Sequence, residues 1–135
     1  MTRNICAVAL AFAAACSGGT STPDGTTFPM NATTDSGSLH LVVSALPNPP
    51  VVGTDTLELT ITSAADESPQ DGLTVDVAPY MPSMGHGTSA TTVVPEGGGK
   101  YLVTNVYLFM PGVWELKTTI TGPLSDHAEP TFELP

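Results

Sequence analysis

Prolines and glycines punctuate this chain so closely that no long helix fits beyond its first fifteen residues. There are 13 of each, grouped as Pro47-Asn48-Pro49-Pro50, Pro69-Gln70-Asp71-Gly72, Gly97-Gly98-Gly99, Pro111-Gly112 and Gly122-Pro123. Proline lacks the backbone donor and collides with the preceding helical turn, and glycine weakens a helix interior by about 1 kcal/mol. Between these breakers the side chains alternate. Leu57, Leu59 and Ile61 are interleaved with Glu58, Thr60 and Thr62; Leu73, Val75 and Val77 with Thr74, Asp76 and Ala78; Trp114, Leu116, Thr118 and Ile120 with Glu115, Lys117 and Thr119. A period of two describes strands with one face buried and one face wet. Leu39–Leu46 and Lys100–Met110 are apolar at both parities, so they read as strands of undetermined orientation. Short strands between turn signals at this density predict an all-β fold, an immunoglobulin-like β-sandwich of about seven strands. Trp114 is the expected core anchor, against Leu57, Leu59, Ile61, Leu73, Val75 and Val77.

The N-terminal region follows a different pattern. Arg3 precedes an apolar run, Ile5 to Ala15, that ends in Ala13-Ala14-Ala15 directly before Cys16. A basic start, a short apolar core and small residues at its end form an export signal. The run is about half of the ~20 residues a membrane-spanning helix needs. Small residues before a cysteine resemble a lipobox, although Ala13 stands where leucine is commoner. Residues 1–15 are therefore expected to be a signal peptide and Cys16 to be lipidated. Residues 16–37, rich in Ser, Thr, Gly, Asp and Pro, are expected to be a flexible linker, with Met30 a tether residue of no further role. Residues 38–135 would then form the domain, held on the extracytoplasmic side of the cell envelope by its lipid. Cleavage before Cys16 leaves Lys100 and Lys117 against thirteen acidic residues, a net charge of 2 − 13 = −11. Such a surface repels nucleic acid. No cysteine remains for a disulfide or a thiolate metal site.

One segment carries chemistry: Tyr80-Met81-Pro82-Ser83-Met84-Gly85-His86-Gly87. Two thioethers and an imidazole fall within six positions, and Pro82 and Gly85 predict a loop or bent strand end. Thioethers are soft ligands and imidazole is intermediate, a combination suited to copper, Cu(I) above all. Calcium and magnesium demand oxygen instead. Methionine also suits an oxidising compartment, where thiols are lost. A packing reading competes: Met81 and Met84 could cap the core, and His86 could serve a turn.

The segment MPSMGHG, the glycine-rich turn before Lys100-Tyr101 and the stretch Phe109-Met110-Pro111-Gly112-Val113-Trp114-Glu115-Leu116, with LPNPPVVGTDTLELTI before them, resemble the YtkA-like family, a FixH-related group of exported β-sandwich domains associated with copper. The resemblance spans Gly37 to about Thr121. It implies a β-sandwich in an exported or membrane-anchored protein. It places Met81, Met84 and His86 on the family's methionine-rich loop and Met110 before its Pro-Gly turn. Met81, Met84 and His86 are the expected copper ligands, with Met110 or His40 completing the shell. His127, beside Asp126 and Glu129, is expected at the surface.

Two function classes remain open at this point. The first is a membrane-anchored copper-binding or copper-delivery module that passes the ion to a copper-accepting envelope protein. The second is an immunoglobulin-like interaction module that docks to a membrane or envelope partner and binds no metal. Catalysis is not expected: G-x-S-x-G, H-E-x-x-H and a nucleophilic cysteine are all missing from the sequence.

Overall fold

Alternation decides the layers. In the computed structural model, which describes residues 28–135, every segment read as alternating is a strand with its apolar parity turned inward. The described residues form ten strands: β1 Met30–Thr33, β2 Leu39–Leu46, β3 Gly53–Ser63, β4 Thr74–Met81, β5 His86–Gly87, β6 Thr92–Gly97, β7 Lys100–Leu108, β8 Gly112–Thr121, β9 Asp126–Ala128 and β10 Thr131–Leu134. One sheet runs β1-β2-β3-β7-β6 and the other β10-β8-β4-β5, with β9 also on β8. Every strand pair is antiparallel. The all-β sandwich expectation holds, with ten strands in place of seven. The surplus comes from short edge pieces. β9 and β10 lie end to end along one side of β8, and between them the Leu116 N–H donates to the Pro130 carbonyl at 2.9 Å.

The two inner faces supply the core. Leu39, Leu41, Val43, Leu57, Leu59, Ile61, Tyr101 and Val103 come from one sheet; Val75, Val77, Trp114, Leu116, Ile120 and Phe132 come from the other. Trp114 is fully buried, and its indole N–H donates to the Met110 carbonyl at 3.1 Å. Tyr101 ties the sheets at one end. Its hydroxyl accepts from the Leu73 N–H at 3.2 Å and donates to the Gln70 carbonyl at 2.7 Å.

The two doubly apolar segments resolve for different reasons. In β2 the odd residues, Leu39 through Ala45, face inward throughout. In β7 the parity switches: Tyr101 and Val103 are buried, then Val106 and Leu108. Asn105, at φ 59°, is the extra residue of a bulge: Asp55 pairs with Val106, but Leu57 pairs with Val103. A bulge adds one residue to one strand and so reverses the faces beyond it. Period-two reading of β7 could not succeed across it.

The expected linker through residue 37 is corrected over its last ten residues. Phe28 is buried, its ring edge-on to Phe132 at 5.4 Å, and β1 pairs with β2 from Met30↔Val43 to Thr33↔His40. Met30 packs against the core rather than idling in a tether. The hydrogen bonds of β1 reward its polar sequence, since an edge strand needs little apolar area to pair. The expected signal peptide, the lipidated Cys16 and the linker up to residue 27 lie outside the described residues.

Candidate metal centre

Strand β4 ends where the candidate loop begins. Its inward parity, Val75 and Val77, continues through Pro79 to Met81. Met81 is thus the last inward residue of a strand, only 1% exposed. Its carbonyl accepts the Met84 and Gly85 N–H groups at 3.1 and 3.0 Å, closing a tight turn over Pro82–Gly85. Gly85 takes φ +69°, a value that costs glycine little. The chain then returns as β5, with Met81 opposite His86 and Tyr80 opposite Gly87. Gly87 must lack a side chain: a β-carbon there would sit 2.7 Å from the Pro79 carbonyl oxygen.

Directly opposed residues of an antiparallel pair project to the same side of the sheet. Met81 and His86 therefore leave one face of the hairpin, and both meet the β7–β8 turn. The Met81 methyl lies 2.6 Å from the point a β-carbon on Gly112 would occupy. The His86 ring stacks on Phe109, centroids 5.7 Å apart and planes 18° from parallel, and Phe109 stands edge-on to Trp114 at 5.1 Å. His86 Nδ1 is 3.3 Å from the Gly87 carbonyl. With Nδ1–H donating there, Nε2 keeps its lone pair for another partner. Met84, at the tip of the turn, is half exposed. Met110, in the β7–β8 turn, is half-buried against the core. The hairpin and the turn thus bring Met81, Met84, His86 and Met110 to one corner of the sandwich.

His40 does not join them, and its expected place in the shell is corrected. It pairs with Thr62 near the Ser63 end of β3, whereas the Met–His corner adjoins the Gly53 end, where Gly53 pairs with Leu108. Its Nδ1 instead lies 3.3 Å from the Thr33 hydroxyl. His127 is at that far end too, exposed and 2.8 Å from Asp35 through Nε2. Of the two readings open for Met81, loop or bent strand end, the structure gives the strand end, and its side chain fills the core.

Two residues at the corner were not singled out as site residues by sequence. Phe109 is the platform for His86. Asp55 faces inward on β3, with Oδ1 accepting the Val51 N–H at 3.2 Å and Oδ2 buried without a partner. Burial pushes its carboxyl above the usual carboxylate range, against the lowering pull of the Val51 N–H. Counting back two residues from Leu57 finds it.

Among the described residues no three His, Cys, Asp or Glu side chains converge as a metal cage. The corner's donor set is instead two or three thioethers and one imidazole, which fits a soft ion and not a hard one. Residues 33–119 match the family model described as YtkA-like, a span that takes in both the β4–β5 hairpin and the β7–β8 turn. The chain belongs to the YtkA-like family. The YtkA-like match extends over β2 to β7 and most of β8, and stops before β9 and β10. Neither a curated protein nor a solved structure gives a match.

Proposed function

We propose that this YtkA-like chain is a membrane-anchored copper-binding or copper-delivery module of the cell envelope. It would take Cu(I) on Met84 and His86, with Met81 beneath them and Met110 beside them. One observation carries the reading. A half-exposed thioether and an exposed imidazole share a tight hairpin whose buried end is a second thioether, and the imidazole is held flat on Phe109. Thioethers need no deprotonation, so capture at methionine tolerates acid better than capture at histidine. An exposed pair of donors also suits hand-over, since an acceptor's ligands can reach the ion before the first set lets go. The function is binding and ligand exchange, without a catalysed reaction.

Titration of the full chain with Cu(I) under a competing chelator tests this. One equivalent should be withdrawn from the chelator by the wild type. Met84→Leu combined with His86→Asn, both exposed positions, should weaken the affinity at least tenfold, about 1.4 kcal/mol. No withdrawal by the wild type, or an unchanged affinity in the double variant, would defeat the proposal.

A further inference from the structure

The apolar side chains that the fold leaves in water are gathered at one end. Among the described residues seven large apolar side chains are exposed, and six of them ring the end that carries the Met–His corner. Leu46 ends β2, Val51 and Val52 come from the β2–β3 connection, Tyr107 from the outer face of one sheet, Val113 from the outer face of the other, and Met84 from the hairpin tip. Leu46 is the most open, at 61%. These residues encircle the end of the sandwich rather than line a groove, so they suit a surface into which the end dips rather than a segment that lies in a cleft.

Most of the charge lies the opposite way. Asp35, Asp66, Glu67, Asp71, Glu96 and Asp126 lie in or beside the connections of the far end, about 33 Å away along an eleven-residue strand such as β3, whereas the apolar end carries the exposed Glu133, paired with Val113, and the half-buried Glu115. Both lysines are elsewhere: Lys100 opens β7 at that far end, and Lys117 sits midway along β8 with its ammonium 3.9 Å from the Tyr80 ring centroid. Among the described residues the apolar end offers no lysine or arginine to an acidic protein partner or an anionic headgroup.

The chain also enters the sandwich at this end. Phe28 packs on Phe132, and its carbonyl accepts from the Asn48 side chain at 3.4 Å, beside the β2–β3 connection. Eleven residues, Ser17 to Thr27, separate it from Cys16. They reach at most about 38 Å.

We infer that the domain sits on the lipid bilayer by this end, with Leu46, Val51, Val52, Tyr107, Val113 and Met84 against uncharged or zwitterionic lipid and the acidic end turned outward. The inference rests on the lipid anchor at Cys16 but not on copper. Apolar tips add their own burial at the interface to that of the anchor and so orient the domain on it. Repulsion between the acidic end and anionic lipid fixes which end faces down. Met84 and His86 would then face a membrane-embedded partner.

The test uses intact bacteria producing the full chain with p-benzoylphenylalanine in place of Tyr107, of Val52 or, as the control, of Asp71. All three positions are exposed, and because Asp71 also accepts the Gly99 N–H, each variant's urea midpoint is matched to the wild type before irradiation. Irradiation should give phospholipid adducts at positions 107 and 52 and not at 71, read by mass spectrometry. Adducts to a protein at 107 and 52 would replace the lipid surface by a protein one and overturn the inference. So would a membrane-bound chain with no lipid adducts, or with equal adducts at 71. A chain recovered in the soluble fraction would overturn the anchor itself, and this inference with it.

Discussion

Met81 and Met84 sit three residues apart in one motif, yet their truncation should have very different costs. Met81 is 1% exposed, with its methyl over Gly112, whereas Met84 is 50% exposed at a turn tip. Truncating a buried methionine to alanine costs about 2–5 kcal/mol in lost transfer energy and residual cavity. The Gly112 backbone against the methyl limits collapse into the space, so Met81→Ala belongs in the upper part of that range. Met84→Ala should cost under about 0.5 kcal/mol, as for a surface substitution. A domain of this size has about 5–15 kcal/mol of stability in all. Met81→Ala should therefore lower the urea midpoint markedly with an unchanged slope, while Met84→Ala leaves it in place. Met81→Leu keeps volume and apolarity and should cost less than about 1.5 kcal/mol. It thereby separates the sulfur from the packing: a Met81→Leu protein that folds well but binds Cu(I) more weakly assigns Met81 both roles. Equal losses for Met81→Ala and Met84→Ala would refute the placement of Met81 in the core.

Other consequences follow from the same structure. Gly112→Ala should destabilise by about 1–3 kcal/mol, because φ is +136° and the new methyl meets Met81; Met81→Ala in the same chain should relieve the second cost and not the first, which a double-mutant cycle in urea would show. Of the shifted carboxyls, Asp126 and Asp55 should act in opposite directions on stability. The Ser36 hydroxyl, with further donors, lowers Asp126 to about 2, so it stabilises above its unfolded value near 3.8 and loses this as pH falls through about 2. Asp126→Asn should flatten stability over that acid range. Asp55 is raised by burial, so its contribution is unfavourable at neutral pH and disappears below the unfolded value near 3.8. Urea midpoints from pH 3 to 7 should show Asp55→Asn gaining on the wild type as pH rises. Labelled palmitate should enter the wild-type chain and not Cys16→Ser; equal labelling would end the lipoprotein proposal.

The sequence made the layers legible because burial and period coincide in β3, β4 and β8. It concealed β7, where Asn105 shifts the parity midway. It concealed β1 because Met-Asn-Ala-Thr has the composition of the tether before it; what orders that segment is long-range pairing with β2 and the docking of Phe28 on Phe132. The Met–His motif was visible as chemistry, but its breakers left loop and bent strand end undecided. Its signal was present: Leu73, Val75 and Val77 point in, and two more steps of two reach Met81. The distance between His40 and the corner depends on strand order and register, which no local pattern carries.

The copper reading is tested most directly at the methionine methyl groups. The full chain labelled with ¹³C at methionine Cε gives separate resonances for Met30, Met81, Met84 and Met110 beside that of Met1. Added Cu(I) should move the Met84 and Met81 methyls and the His86 ring signals together, saturating at one equivalent. Met30, which lies on β1 in the other sheet, should stay in place. Methyl signals that do not respond to Cu(I), or a response at Met30 equal to that at Met84, would contradict a copper site at this corner.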